Sequence, residues 1–326
     1  MLPVAVDAMG GDNAPGDIVA GAQRAADTGI PVLLVGDPEA IGDTDLEVVA
    51  CFEAIPMDAD PTKSVRSMKD SSLVRAAEAV RDGRASAMVS AGNTGAALTA
   101  ATLRMKRLKG VSRPAIATPI TNLAGGIPNI LIDGGANVDC APDLLALFGR
   151  MGAVFATARY GVEAPRVGLL SNGEEESKGS PLTKAAFLLL SEPEWQAATG
   201  ASFVGNVEGG DILSEDVDVI VTDGFTGNVA LKALEGAAKT IINALLVAFD
   251  SSDDARKGAE LLLPALAPLY ERASPDTVGG AALVGVRGIC MISHGSSSAN
   301  AIFHAVKAAH ELAEADMVGK LQAALV

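Results

Sequence analysis

Short apolar runs, each closed by a glycine-rich polar loop and followed by a helix-like stretch, recur along this chain and leave few ways to fold it. They lie at residues 3–6, 31–35, 87–89, 130–132, 167–170, 217–221 and 289–292. Because their apolar character does not alternate, both faces of each strand must be covered, which a parallel sheet packed between helices requires. The expected fold is α/β: a doubly wound, mostly parallel sheet with helices on both faces and a helical excursion. The 326 residues read as one α/β domain, 1–326, with the excursion at about 228–273.

The helices carry their own end signals. One is expected over 17–27, with Pro15 ahead and Gly29 behind, and another follows Ser71 and Ser72 and stops before Gly83. In the excursion, Leu231, Leu234, Ala238, Ile241, Leu245 and Phe249 fall at helical spacing, and Ala237, Ile242 and Leu246 widen that stripe. So broad a face needs a covering helix or a second subunit. A second stretch, 255–272, is expected to be interrupted at Pro264 and Pro268.

Composition removes several function classes. With 25 Lys plus Arg against 40 Asp plus Glu, the net charge of −15 argues against a nucleic-acid binder, since backbone phosphates demand a basic surface. Aromatic residues make up 3%, too few for base-stacking platforms. Cys51, Cys140 and Cys290 form no metal-ligand or disulfide spacing and fit reduced, cytoplasmic thiols. The first residues lack a basic region ahead of an apolar run, so no signal peptide is expected, and no apolar stretch reaches the roughly 18 residues of a membrane span.

In a wholly parallel sheet the strand-to-helix loops gather at one carboxyl edge. Here they read DAMGGDNAP (7–15), SAGNTG (90–95), DGGANVD (133–139), SNGEEESKG (171–179), DGFTGN (223–228) and HGSSSAN (294–300). Each supplies small residues, a carboxamide (Asn13, Asn93, Asn137, Asn172, Asn228 or Asn300) and a following helix start, a combination suited to an oxyanion or phosphate. The structural alternative is that Gly and Asn only satisfy tight turns and caps. No dinucleotide or Walker fingerprint, G-x-S-x-G elbow or H-E-x-x-H is present. His304 and His310 fall on a terminal helix as solvated or core residues, whereas His294 opens a polar loop, where a cap or turn role competes with acid/base work. Lys178 follows Glu174, Glu175 and Glu176 and is either part of a solvated charge cluster or a cation held beside a bound anion.

Taken in order, VDAMGGDNAP, SAGNTGA, DGGANVD, VGLLSNGEEESKG, FVGNVEG, VTDGFTGNVALK and HGSSSANAIFHA resemble the bacterial phosphate acyltransferases of phospholipid synthesis, and the likeness runs essentially end to end. It implies a catalytic fold similar to phosphotransacetylases and isocitrate dehydrogenase-like enzymes, a homodimer, and no organic cofactor. The implied reaction converts acyl-[acyl-carrier-protein] and inorganic phosphate to acyl phosphate, ahead of a downstream glycerol-3-phosphate acyltransferase. It implies Lys178 and Asn228 as catalytic residues and Gly10, Gly11, Asn93, Thr94 and Asn137 as substrate-pocket lining. Asn172 and His294, in loops of the same kind, join that expected lining. A phosphotransacetylase acting on acyl-coenzyme A and a noncatalytic acyl- or anion-binding scaffold are the alternatives, with a dehydrogenase more distant.

An acidic carrier protein would need a local positive patch. Arg104, Lys106, Arg107, Lys109 and Arg113 supply one, although the helix that leads to them should run away from the Asn93 edge, and they also suit a helix C-terminus. Arg256, Lys257 and Arg272 are rivals. The likeness implies peripheral membrane contact through an apolar helix tip, but Asp250, Ser251, Ser252, Asp253 and Asp254 occupy that connection here. Leu261, Leu262 and Leu263 follow it and are expected to be buried against the neighbouring helix rather than in lipid.

Overall fold

The computed structural model describes residues 1–122 and 125–325. One eleven-stranded sheet organises it. Its strands are β1 (Val4–Asp7), β2 (Val32–Gly36), β3 (Glu47–Ala50), β4 (Ala87–Ser90), β5 (Ala115–Ile120), β6 (Asn129–Ile132), β7 (Arg166–Leu170), β8 (Ser202–Val207), β9 (Val219–Val221), β10 (Ala281–Val284) and β11 (Ile289–Ile292). The spatial order is β3-β2-β1-β4-β11-β10-β5-β6-β9-β7-β8. Unbroken apolar strands bury both faces as expected: Val4 and Val6 join a cluster with Ile18 and Ile302, while Ala5 joins another with Val74 and Ala77. Helices Gly16–Asp27 and Ala299–Glu314 thus cover one face and Ser72–Arg81 the other.

The sheet is mostly parallel, but its centre turns the chain direction round. β10 pairs antiparallel with β11 and with β5, and β5 pairs antiparallel with β6. Three successive reversals leave β6, β9, β7 and β8 running opposite to β3, β2, β1, β4 and β11. The expectation of a single carboxyl edge is therefore corrected. Loops after β1, β4 and β11 leave one edge of the sheet, and loops after β6, β7 and β9 leave the other.

The excursion is a pair of helices, Gly224–Phe249 and Asp253–Ala273. The second runs unbroken through Pro264 and Pro268, which corrects the expected interruption. Each proline removes one donor from the helix ladder, leaving the carbonyls of Glu260 and Pro264 without their partners. Both residues are exposed, so water can take those carbonyls and the helix persists. Leu231 and Leu234 pack onto Leu131, Val207 and Ile220 of the sheet and onto Ile212 of the short helical turn Gly209–Leu213, and anchor the base of the pair. Further out the apolar stripe is bare: Ile241 is 61% exposed, Leu261 83%, and Leu245, Leu246, Leu262 and Leu263 about half. The expected burial of Leu261, Leu262 and Leu263 is thus overturned, because two isolated helices cannot cover both of their own apolar faces. Among the described residues, no helix is long and apolar enough to cross a membrane.

Candidate active site

β9 lies between β6 and β7, so the loops 133–139, 223–228 and 171–179 leave neighbouring strands, about 4.8 Å apart, at one edge. Asp133, which the sequence reading did not single out, organises the first of them. It is fully buried. Its Oδ1 accepts from the backbone N–H of Ile116 at 3.0 Å and of Ala136 at 2.9 Å, and its Oδ2 accepts from the N–H and Nδ2 of Asn137 at 2.7 and 2.8 Å. A carboxylate with several donors holds its loop tightly. The available signal was an Asp placed directly after an apolar run, in DGG. Asn137 also donates from Nδ2 to Pro114 O at 2.8 Å, so its amide braces this loop against the start of β5.

The 26-residue helix Gly224–Phe249 starts against that loop. Asp223 caps it, accepting from Thr226 N and Thr226 Oγ1 at 2.8 Å each. Gly224 N donates to Asn137 O at 2.7 Å. Side chains at Gly224 and Gly227 would collide with the loop backbone: a Cβ on Gly227 would lie 2.1 Å from Asp133 O. Glycine there lets the helix N-terminus, with its partial positive charge, press onto the 133–137 turn. Asn228 follows immediately, exposed, its Nδ2 donating to Gly134 O at 3.3 Å.

On the other side of β9, the alkyl chain of Lys178 covers Gly173, where a Cβ would meet Lys178 Cγ at 2.6 Å. The side chain is 45% exposed, and its ammonium lies 3.9 Å from Glu175. Asn172 Oδ1 accepts from Gly179 N at 2.9 Å and closes the loop, and Asn206 Nδ2 donates to Glu175 O at 2.9 Å. Ser171 Oγ and Asn206 Oδ1 are buried here without a hydrogen-bond partner among the described residues. Buried polar atoms of this kind call for a partner.

Gly10, Gly11, Asn93, Thr94 and His294 leave the opposite edge and form a second group. Asp12 N donates to Gly295 O, and Asn13 Nδ2 reaches Ser297 O at 3.3 Å. Asn93 caps the short helix Thr94–Ala100 through Ala96 N at 2.9 Å and ties Met57 O with its Nδ2 at 2.8 Å. His294 Nδ1 pairs with Ser296 Oγ at 2.9 Å. The structure thus brings Asn137, Asn172, Lys178 and Asn228 to one edge and sends the other five to the far one, correcting the expectation of one common lining. The cause is the reversal at β10 and β5.

A family model described as "Fatty acid synthesis protein" matches residues 2–320. The phosphate acyltransferase of Pelotomaculum thermopropionicum is 45% identical over 322 residues, covering 96% of this chain and 92% of its own length. That of Anaeromyxobacter sp. is 46% identical over 335 residues, covering 100% and 91%. The chain belongs to the phosphate acyltransferase family. It is therefore an acyl-transferring enzyme. Among solved structures, a phosphotransacetylase from Streptococcus pyogenes superposes with a TM-score of 0.63 at 17% identity, over 97% of this chain and 94% of its own. The EutD phosphotransacetylase of Staphylococcus aureus gives 0.62 at 15%, over 96% and 94%. At such identities the likeness establishes the fold.

In this acyltransferase the thiols are poor nucleophiles. Burial pushes Cys51 and Cys290 up to about 12 and Cys140 up to about 11, with the Asp7 charge adding to the rise at Cys51 and Asp133 to that at Cys140. Burial also raises the carboxyl of Asp7 above its ordinary 3.8, against hydrogen bonds from Ser72, Ser90, Met9 N and Gly10 N that pull it down. Above about 3.8 the unfolded chain has lost a proton that the native Asp7 still holds, so this group's contribution to stability falls as pH rises until Asp7 itself ionises. Asp7→Asn, which keeps an oxygen for the Ser90 hydroxyl, should flatten that fall in thermal melts taken from about pH 4 upward. Melts parallel to wild type at every pH would refute the assignment.

Proposed function

We propose that this acyltransferase moves an acyl group from the thioester of an acyl-carrier protein to inorganic phosphate, giving acyl phosphate and free carrier for phosphatidic acid and phospholipid synthesis. A glycerol-3-phosphate acyltransferase then consumes the product. The observation that carries the reading is the adjacency of β6, β9 and β7, which sets the Asn137, Asn228 and Lys178 loops side by side. A phosphate oxygen attacks the thioester carbonyl carbon, the carbonyl electrons move onto oxygen, and their return expels the thiolate. Phosphate is already anionic near neutral pH, by analogy with a phosphoester whose second pKa is about 6. The leaving thiolate, with a thiol pKa of about 8.5, departs without prior protonation. What remains is to hold two partners together and to stabilise the oxyanion. Lys178 meets the phosphate or oxyanion charge, the Asn228 amide donates to the carbonyl oxygen, and Asn137 and Asn172 keep their loops in place. The raised cysteine pKa values support direct attack over a thiol-borne acyl intermediate. Gly10, Gly11, Asn93, Thr94 and His294 act as scaffold at the far edge.

The test is phosphate-dependent formation of hydroxamate-trappable acyl phosphate from acyl-[acyl-carrier-protein]. No acyl phosphate at any phosphate concentration would refute the reaction and favour a binding scaffold. The fold shared with phosphotransacetylases favours a second reading, acyl-coenzyme A as donor. A higher kcat/KM with coenzyme A thioesters than with carrier thioesters would establish it.

The same reading includes a homodimer closed over the bare stripe of the two excursion helices, with peripheral lipid contact at Leu261 to Leu263. Ile241→Glu is expected to shift the light-scattering mass toward a monomer, and Leu262→Glu to reduce flotation with anionic liposomes. An unchanged mass would remove the dimer assignment, and unchanged flotation the lipid contact.

A further inference from the structure

We propose that the exposed segment from Lys106 to Arg113 is the docking surface for the acidic carrier protein that delivers the thioester. This rests on the donor assignment above. The helix Thr94–Ala100 and its π-helical continuation Ala101–Met105 do run away from the Asn93 edge, but that direction brings the segment to the edge occupied by Asn228 and Lys178. The expected remoteness is reversed by the same change of strand direction that splits the loops. Arg113 Nη1 donates to Asp139 O at 3.1 Å, and the next residue, Pro114, accepts from Asn137 Nδ2 at 2.8 Å. Basic segment and candidate site therefore share one hydrogen-bonded loop.

The charges are available for a partner. Lys106, Arg107, Lys109 and Arg113, with Arg287 whose Nε donates to Arg107 O at 3.1 Å, are exposed and make no ion pair with a carboxylate among the described residues. Two of the three rivals are already paired within the excursion, Arg256 held by Asp250 and Asp253 and Lys257 3.9 Å from Asp254. A group of unneutralised cations repels itself, and in a chain of net charge −15 it is a local exception. The backbone beneath is pinned. Leu108 N donates to Gly285 O at 3.0 Å, Arg287 N donates to Lys106 O at 2.9 Å, and Gln322 exchanges bonds of 3.1 and 3.2 Å with the main chain of Lys109. A preordered surface has little entropy left to lose on docking.

An acidic protein face fits this patch better than a lipid surface does. A membrane-binding element sets apolar side chains beside its cations. Here Leu108 and Val111, the apolar residues of the segment, are buried.

The test uses Lys106→Glu/Lys109→Glu, whose side chains make no hydrogen bond or ion pair within the described protein. Carrier affinity is read by fluorescence anisotropy with labelled acyl-[acyl-carrier-protein], and turnover with the same carrier and with acyl-pantetheine. Carrier affinity and kcat/KM should fall about tenfold or more and lose their salt dependence, with acyl-pantetheine turnover unchanged. Carrier affinity equal to wild type would overturn the proposal, as would loss of binding to phosphatidylglycerol vesicles alone, or an equal fall with both substrates. Because affinity is read without turnover, a wild-type protein that binds carrier but makes no acyl phosphate would refute the reaction while the docking surface is still judged on binding.

Discussion

Lys178→Ala and Asn228→Ala should each lower turnover about 100- to 1000-fold, the usual cost of removing one donor aimed at a developing oxyanion. Neither change should unfold the protein. The Lys178 side chain is 45% exposed and its ion pair to Glu175 at 3.9 Å is of a kind worth about 0–1 kcal/mol. Asn228 is exposed and gives up its 3.3 Å bond to Gly134 O. Melting temperatures close to wild type, beside collapsed hydroxamate formation, would therefore separate chemistry from folding. The two losses should differ in kind. Lys178→Ala should raise the KM for phosphate as well as lowering kcat, whereas Asn228→Ala should act on kcat with the phosphate KM little changed. Lys178→Arg keeps the charge and should recover part of the loss. Near wild-type turnover in both alanine variants would remove these residues from the chemistry.

The placement of these two residues was readable because their loops stand after unmixed apolar runs. β1, β2, β4, β6, β7, β9 and β11 each contain such a run and fall within a residue or two of it. The other strands hide for local reasons. β3 is an edge strand that opens on Glu47 and is half covered, β5 carries Thr118 and Pro119, and β8 is bent at Gly205, whose φ is +98°. β10, the short AALV, lies only a few residues ahead of β11, a spacing that permits an antiparallel hairpin and no crossover. Missing that hairpin cost more than a strand. Strand direction is set by the connection rather than by strand composition, so the reversal at β10 and β5 was invisible in the apolar runs. It decides which loops share an edge, and so it separates Gly10 and Asn93 from Asn228 and brings Arg113 close instead. Asp133 was hidden differently: a buried carboxylate and a surface turn residue look alike in DGG until the donors around it are known.

Gly227→Ala should destabilise the protein by about 1–3 kcal/mol, the ordinary cost of overpacking, and should disable it as well. The added Cβ would sit 2.1 Å from Asp133 O and 2.9 Å from Thr222 Cγ2. The first contact is backbone, tied into the loop that Asp133 itself organises, so the helix must give way. Asn228 is the next residue. A displacement of about 1 Å there is enough to cost about 100-fold in rate, so turnover should fall well beyond what a lower melting temperature explains. The same substitution further along the helix supplies the control. Around Gly236 there is nothing within 4 Å of an added Cβ, and alanine is about 1 kcal/mol better than glycine inside a helix. Gly236→Ala should raise the melting temperature and leave turnover intact. Opposite signs at two glycines of one helix would tie activity to the pressing of its N-terminus onto the 133–137 turn. If Gly227→Ala melts and turns over like Gly236→Ala, that contact does not position Asn228.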